Sequence, residues 1–257
     1  MIRINIIGSG NMAWFLADSF AKTDVAIHSI CSRNLEQGQV LANTFQTHYL
    51  NDVANLDDKA DITFVALRDD AIAFVANQIK TNSIVAHCSG MLSIDELSAH
   101  KDRAVFYPLQ TIIKNDLPNA SEIPICLEAS NAGTLRLVES LADKISHHVH
   151  FINSEQRQYY HLAAVMANNF TNHLYVLAND LLSKQNLSFD LLKPLITETA
   201  RKACRSNPLY NQTGPAKRDD RNTIDKHLNL LNQNMELKEL YEKITQSISK
   251  LYQQNEN

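Results

Sequence analysis

Gly8-Ser9-Gly10-Asn11-Met12-Ala13 has the spacing G-x-G-x-x-A, directly after the apolar run at residues 3–7 and at the start of a helical pattern. Each small residue has a physical task. Gly8 permits a tight turn, Gly10 lets the backbone approach a pyrophosphate, and Ala13 keeps the helix close to the strand. Backbone N–H groups left free at a helix start then face the phosphates. The plain alternative is a glycine turn and nothing more. The strand–turn–helix setting favours dinucleotide binding, with Gly8, Ser9, Gly10, Asn11 and Met12 around the phosphates.

The end of the next apolar run selects the dinucleotide. An Asp or Glu there would accept hydrogen bonds from the ribose hydroxyls, whereas an Arg would pair with a 2′-phosphate. The chain has Ser32 and Arg33, and no acid until Glu36. We read this as an NADP site, with Asn34 as a second donor. The alternative is a solvated arginine at a strand end.

Ligands in open α/β sheets sit at the carboxyl ends of the strands. Leu67 and Arg68 follow the run DITFVA and should lie beside the cofactor. Asp69 or Asp70 should cap the following helix. Ser89 and Gly90 follow SIVAH and should lie near the nicotinamide end. His87 reads equally well as a core histidine with a satisfied ring. HHVH at residues 147–150 invites a metal, but no cysteine or carboxylate has ligand spacing, so no metal is expected.

A second polar group interrupts an apolar helical stretch, YYHLAAVMANNF at residues 159–170. On an ideal α-helix Asn168 lies about 20° around the axis from His161, and Asn169 about 80°. His161 could be a general acid, since histidine titrates near neutrality. Asn169 could hold a substrate carbonyl or carboxylate, or the nicotinamide amide, and His173 extends the face by one turn. The alternative is a set of buried hydrogen bonds between domains or subunits. In TGPAKRDD, Lys217 or Arg218 could pair with a substrate carboxylate, Arg218 being favoured for bidentate geometry. Asp220 could orient it or cap the next helix; a solvated capped loop is the alternative.

The elements that must position these residues alternate at first. Seven strand-like runs fall at residues 3–7, 25–30, 61–66, 83–87, 103–107, 123–128 and 147–152. Helical patterns fall at 11–22, 34–45, 70–79 and 131–144. This predicts a mostly parallel Rossmann-type sheet covered on both faces. From about Ser154 to Tyr252 only helical periodicity remains, with Ser188 as an N-cap, a loop at 206–220 and a polar tail from Gln253 to Asn257. The fold class is therefore α/β, with an all-helical domain after it.

Composition narrows the functional classes. The chain has 257 residues, 44% hydrophobic and 20% charged, with a net charge of −4. That is an ordinary globular composition without the basic footprint of a nucleic-acid binder. No apolar run approaches the ~18 residues of a membrane span. Structure-like sequence begins at Ile2, leaving no room for a leader, and Cys31, Cys88, Cys126 and Cys204 lack disulfide spacing. A cytoplasmic protein with reduced thiols is expected.

Five segments in order, IIGSGNMA, HCSGMLSIDEL, YPLQTI, YYHLAAVMANNF and TGPAKRDDRNTIDKHL, resemble a family that joins a Rossmann-like domain to domain of unknown function 2520. Many of its members carry the name NADP oxidoreductase. It lies in the superfamily of pyrroline-5-carboxylate reductase, the deazaflavin-dependent NADP oxidoreductases and the β-hydroxyacid dehydrogenases. The chain departs from the family where Tyr107-Pro108 replaces His-Pro and where Arg218-Asp219-Asp220 replaces Arg-Gly-Asp. The resemblance implies an NADP-binding domain over residues 1–152 and a substrate and dimerisation domain over 153–257. The first helix of the latter, from Glu155 to about Leu182, would cross the mouth of the cofactor cleft. It implies an NADP cofactor and a homodimer. The residues themselves support NADPH-dependent reduction of a C=O or C=N bond in a small anionic metabolite, with His161, Asn169 and Arg218 in catalytic roles. The other reading is a non-catalytic dinucleotide-bound sensor or scaffold, because the Lys-x-x-x-Asn pair of β-hydroxyacid dehydrogenases is absent: Val165 stands four residues after His161. A deazaflavin partner reaction is a third option.

Overall fold

The strand RINII, β1 (Arg3–Ile7), is buried at four of its five positions. Its side chains alternate between two apolar layers, Ile4 and Ile6 entering one and Ile7 the other. This is the signature of a strand covered on both faces. In the computed structural model, which describes residues 1–253, β1 is an inner strand of an eight-stranded sheet. The other strands are β2 (Ala26–Cys31), β3 (His48–Leu50), β4 (Ile62–Val65), β5 (Ile84–His87), β6 (Arg103–Pro108), β7 (Ile125–Ala129) and β8 (Val149–Phe151). The order is β3-β2-β1-β4-β5-β6-β7-β8, and only β6 and β7 pair antiparallel. The strand order reverses between β1 and β4. Their carboxyl ends therefore open a crevice, where ligands of such sheets bind.

The helices that cover the sheet are α1 (Asn11–Ala21), α2 (Leu35–Thr44), α3 (Asp69–Ala76) and α4 (Ala132–Asp143). Helix α1 buries Ala13, Leu16, Ala17 and Phe20, a three-and-four spacing that faces the sheet. Seven strands are expected and eight are found. The extra one, β3, has only three half-buried or exposed residues at the sheet edge.

The chain divides into two compact units, Met1–Asn168 and Asn169–Asn257. The first holds the sheet and also α5 (Ser154–Ala164). The continuous helical pattern expected after Ser154 is interrupted by a π-helical stretch, Val165–Phe170. Such wide turns add a residue per turn and recur at functional sites. The ideal-helix angles for Asn168 and Asn169 therefore do not apply.

The second unit contains α6 (Thr171–Ser183), α7 (Lys193–Arg205), α8 (Arg221–Leu230) and α9 (Met235–Gln253). Ser188 caps the turn before α7, accepting from the Asp190 N–H, as its sequence context predicts. Gln253 ends α9 and is not part of a tail; residues 254–257 lie outside the described residues. From Asn169 to Gln253 only Ala216, Ile224 and Leu231 are buried. No helix among the described residues is long and apolar enough to cross a membrane.

Candidate active site

A cavity of about 750 Å³ opens at the crevice, lined by the loops that leave β1, β2, β3 and β4. Gly8, Ser9, Gly10, Ser32, Arg33, Leu67 and Arg68 all border it. Gly8 adopts φ +125°, and a Cβ there would lie 2.3 Å from the Ala66 carbonyl oxygen, so no other residue fits. Gly10 is different: a Cβ there would meet no atom within 4 Å. Protein packing does not require this glycine, and the space beside it is free for a ligand.

The start of α1 matches an anion. Gly10 is its N-cap, no side chain caps it, and its first turn holds no acid. By contrast Asn34, Asn131 and Asn153 cap α2, α4 and α5 with their side chains. The orphan N–H groups of α1 thus remain available for phosphate. Asn11 has a structural tie as well, its Oδ1 accepting from the Lys114 N–H at 3.2 Å. Met12 packs against the core.

At the end of β2, Ser32 is locked in place. Its Oγ lies 2.9 Å from Ser9 Oγ and accepts from the Asn34 N–H, while its carbonyl accepts from the Tyr49 hydroxyl at 2.7 Å. Arg33 beside it is exposed, with no hydrogen-bond or ion-pair partner among the described residues. A free guanidinium, an uncapped helix start and an open glycine together fit a phosphorylated dinucleotide. When bound, such a cofactor supplies a transferable hydride. Arg68, by contrast, pairs with Asp70 at 3.1 Å. Neither Asp69 nor Asp70 caps α3, contrary to expectation. The N-cap position is Arg68 itself, and both acids stand inside the first turn, where the helix dipole favours them.

A second cluster lies within the same unit, where the loop after β5 meets β6 and α5. Arg157 of α5 is fully buried. Its Nη1 donates to Glu128 Oε2 at 2.6 Å, its Nε to the Ser89 carbonyl at 3.2 Å, and its Nη2 to the Leu92 carbonyl. One side chain thereby fixes both ends of the loop 89–92. The Ser89 hydroxyl oxygen accepts from the Met91 and Leu92 N–H groups. His87 is a core histidine: Nδ1 accepts from the Ser89 N–H and Nε2 faces the Ser93 carbonyl. Burial, with the Arg157 charge adding to it, pushes its pKa down to about 4.

His161 stands one turn beyond Arg157. Its Nδ1 lies 3.0 Å from the Tyr107 hydroxyl oxygen, and burial pushes Tyr107 up to about 12. Asn168 donates from Nδ2 to Thr111 Oγ1 at 2.5 Å. Gly90, expected near the nicotinamide end, lies against His161 and Tyr107; Tyr107 and the Arg157–Glu128 pair are not legible in the sequence as site residues. The one signal was an acid ending an apolar strand run and an arginine entering the next helix.

Asn169 and Arg218 belong to the second unit. Arg218 is exposed. Asp220 caps α8 by accepting from the Thr223 N–H and hydroxyl. Those bonds, aided by the Arg218 charge, hold its carboxyl below the usual range. Lys217 donates to the Gln212 carbonyl and lies over the Tyr252 ring. Asp219 occupies the left-handed region at φ +51°. Among the described residues no three His, Cys, Asp or Glu side chains converge as a metal site.

Comparison with known proteins identifies the family. Residues 3–88 match the family model "NADP oxidoreductase coenzyme F420-dependent", and residues 123–248 match "Domain of unknown function (DUF2520)". A crystal structure of a Bacteroides fragilis protein assigned as an NADP oxidoreductase is 37% identical. It covers 97% of this chain and 98% of its own, with a TM-score of 0.91. A Thermotoga maritima protein is 24% identical, covering 99% and 100%, with a TM-score of 0.73. An imine reductase from Myxococcus stipitatus in complex with NADP+ is 12% identical, covering 98% and 93%, and shares the fold with a TM-score of 0.62. No curated protein matches the sequence significantly. The chain belongs to the NADP-dependent oxidoreductase family that joins a nucleotide-binding domain of this kind to domain of unknown function 2520.

Proposed function

We propose that the chain binds NADPH in the crevice beside β1 and uses it to reduce a C=O or C=N bond of a small anionic metabolite. The observation that carries this reading is the uncapped start of α1 beside open space at Gly10, with a partner-free Arg33 on the rim of the same cavity. The helix start takes the pyrophosphate and Arg33 takes the 2′-phosphate. His161 supplies the proton. Asn169 and Arg218 are the carbonyl- and carboxylate-binding side chains of the helical part, residues 153–257, which also carries dimerisation.

A homodimer follows from the same reading. The second unit leaves Leu191, Leu230 and Tyr210 each more than three-quarters exposed, and three buried residues do not make a core. Sedimentation at micromolar concentration should give twice the chain mass. A monomer would remove this part of the proposal. We place the protein in the cytoplasm, consistent with its four scattered thiols.

The test is turnover. NADPH absorbance should fall on addition of one member of a panel of small 2-keto acids and cyclic imines, and His161→Phe should abolish that loss while sparing NADPH binding. Full activity in the variant would remove His161 from the mechanism. Tight NADPH binding without turnover across the panel would favour a sensor or scaffold.

A further inference from the structure

The Tyr107–His161 contact is placed with more care than a chance hydrogen bond. Tyr107 lies on β6, its backbone held opposite Cys126 in the antiparallel ladder. The two rings meet edge to face with centroids 6.1 Å apart. Gly90 forms the wall behind them. A Cβ at Gly90 would lie 2.5 Å from His161 Nδ1, 2.8 Å from its Cγ and 2.9 Å from Tyr107 Cζ. The missing side chain is the space the pair occupies. Arg157 holds the carbonyls on either side of that glycine, so the wall itself is fixed.

A phenol hydroxyl has one proton to give and needs an acceptor when it is removed from water. Among the described residues, Nδ1 of His161 is its one hydrogen-bonding partner, and no described residue bonds Nε2. We infer that Tyr107 is a positioning residue that acts through His161: its hydroxyl donates to Nδ1, holds the neutral ring as the Nε2–H tautomer, and makes Nε2 the atom from which the proton leaves. This rests on the reading of His161 as the proton donor. Burial keeps Tyr107 a phenol throughout the neutral range, so its proton is present to be given.

The proton count then closes for a carbonyl substrate. Hydride addition leaves an oxyanion on the substrate. Nε2–H gives its proton to that oxygen, the Tyr107 hydroxyl proton passes to Nδ1, and the negative charge ends on the phenol oxygen, which water reprotonates. An alkoxide is a stronger base than a phenolate, so the transfer runs downhill.

Nitrogen NMR of the ring in ligand-free wild type reads the tautomer without any need for turnover. Above neutral pH, Nδ1 should resonate as the unprotonated nitrogen and Nε2 as the protonated one. A protonated Nδ1 would overturn the inference. Tyr107→Phe should lower kcat by about tenfold or more with unchanged KM for NADPH. Unchanged kcat would overturn it too. Gly90→Ala attacks the pair from the other side and should reproduce that loss. If the wild type fails to bind NADPH, the proposed function falls while the tautomer result stands, so the two failures are distinguishable.

Discussion

Arg157 Nη1 lies 2.6 Å from Glu128 Oε2, with the arginine side chain 1% exposed and the glutamate 17%. The pair joins β7 to the first turn of α5, and the same guanidinium grips the loop after β5. Sheet, loop and helix are thereby registered at the place where His161 meets Tyr107. Removing one partner leaves the other charged, buried and unpaired, which commonly costs about 3–5 kcal/mol. Glu128→Ala should lose stability on that scale in urea unfolding. A loss under about 1 kcal/mol would show that the pair is not a structural tie.

Gly8 is the position least able to change. Its φ of +125° and the 2.3 Å approach to the Ala66 carbonyl exclude any side chain. Gly8→Ala should cost at least about 1–3 kcal/mol and abolish NADPH binding, as measured by unfolding and by fluorescence titration. Wild-type affinity in this variant would contradict the proposed position of the pyrophosphate.

Asp219 replaces the glycine that the family resemblance leads one to expect, and it adopts the left-handed backbone at φ +51°. Aspartate tolerates that region at a cost. Its ion pair with Arg221, at 2.7 Å, is exposed on both sides and weak. Asp219→Gly should therefore stabilise the protein by up to about 1 kcal/mol in thermal unfolding. A clear destabilisation would mean that the side chain contributes more than the strain removes.

His87 gives a pH dependence. Burial lowers its folded pKa from 6.5 to about 4, so between those values the unfolded chain binds the extra proton. Stability is then fully present above about pH 6.5 and falls as the pH drops toward 4, by on the order of 2–3 kcal/mol. His87→Gln should flatten this part of the profile relative to wild type, in urea midpoints taken from pH 7.5 to 4.5. Parallel profiles would assign the acid loss to other groups.

The sheet and its cavity were legible because their signals are local. The RINII alternation, the glycine turn and the helix spacing of Ala13, Leu16, Ala17 and Phe20 lie within one short stretch. Arg33 could be placed because it follows a recognisable strand. Three residues at a sheet edge, His48–Leu50, leave too little periodicity to find β3. The π-turn at Val165–Phe170 has no compositional mark, and its sequence predicts plain helix. Tyr107 with His161, and Glu128 with Arg157, are 54 and 29 residues apart in sequence. Only the folded sheet brings such partners together, so their residue types could be noted but not their pairing.

The central claim is the cofactor, and fluorescence titration with NADPH and separately with NADH, on wild type and Arg33→Ala, tests it most directly. The account predicts tight NADPH binding and weak NADH binding by the wild type, with NADPH affinity falling roughly tenfold to a hundredfold in the variant while NADH is little changed. Equal affinity for both nucleotides, or a preference that survives Arg33→Ala, would contradict it.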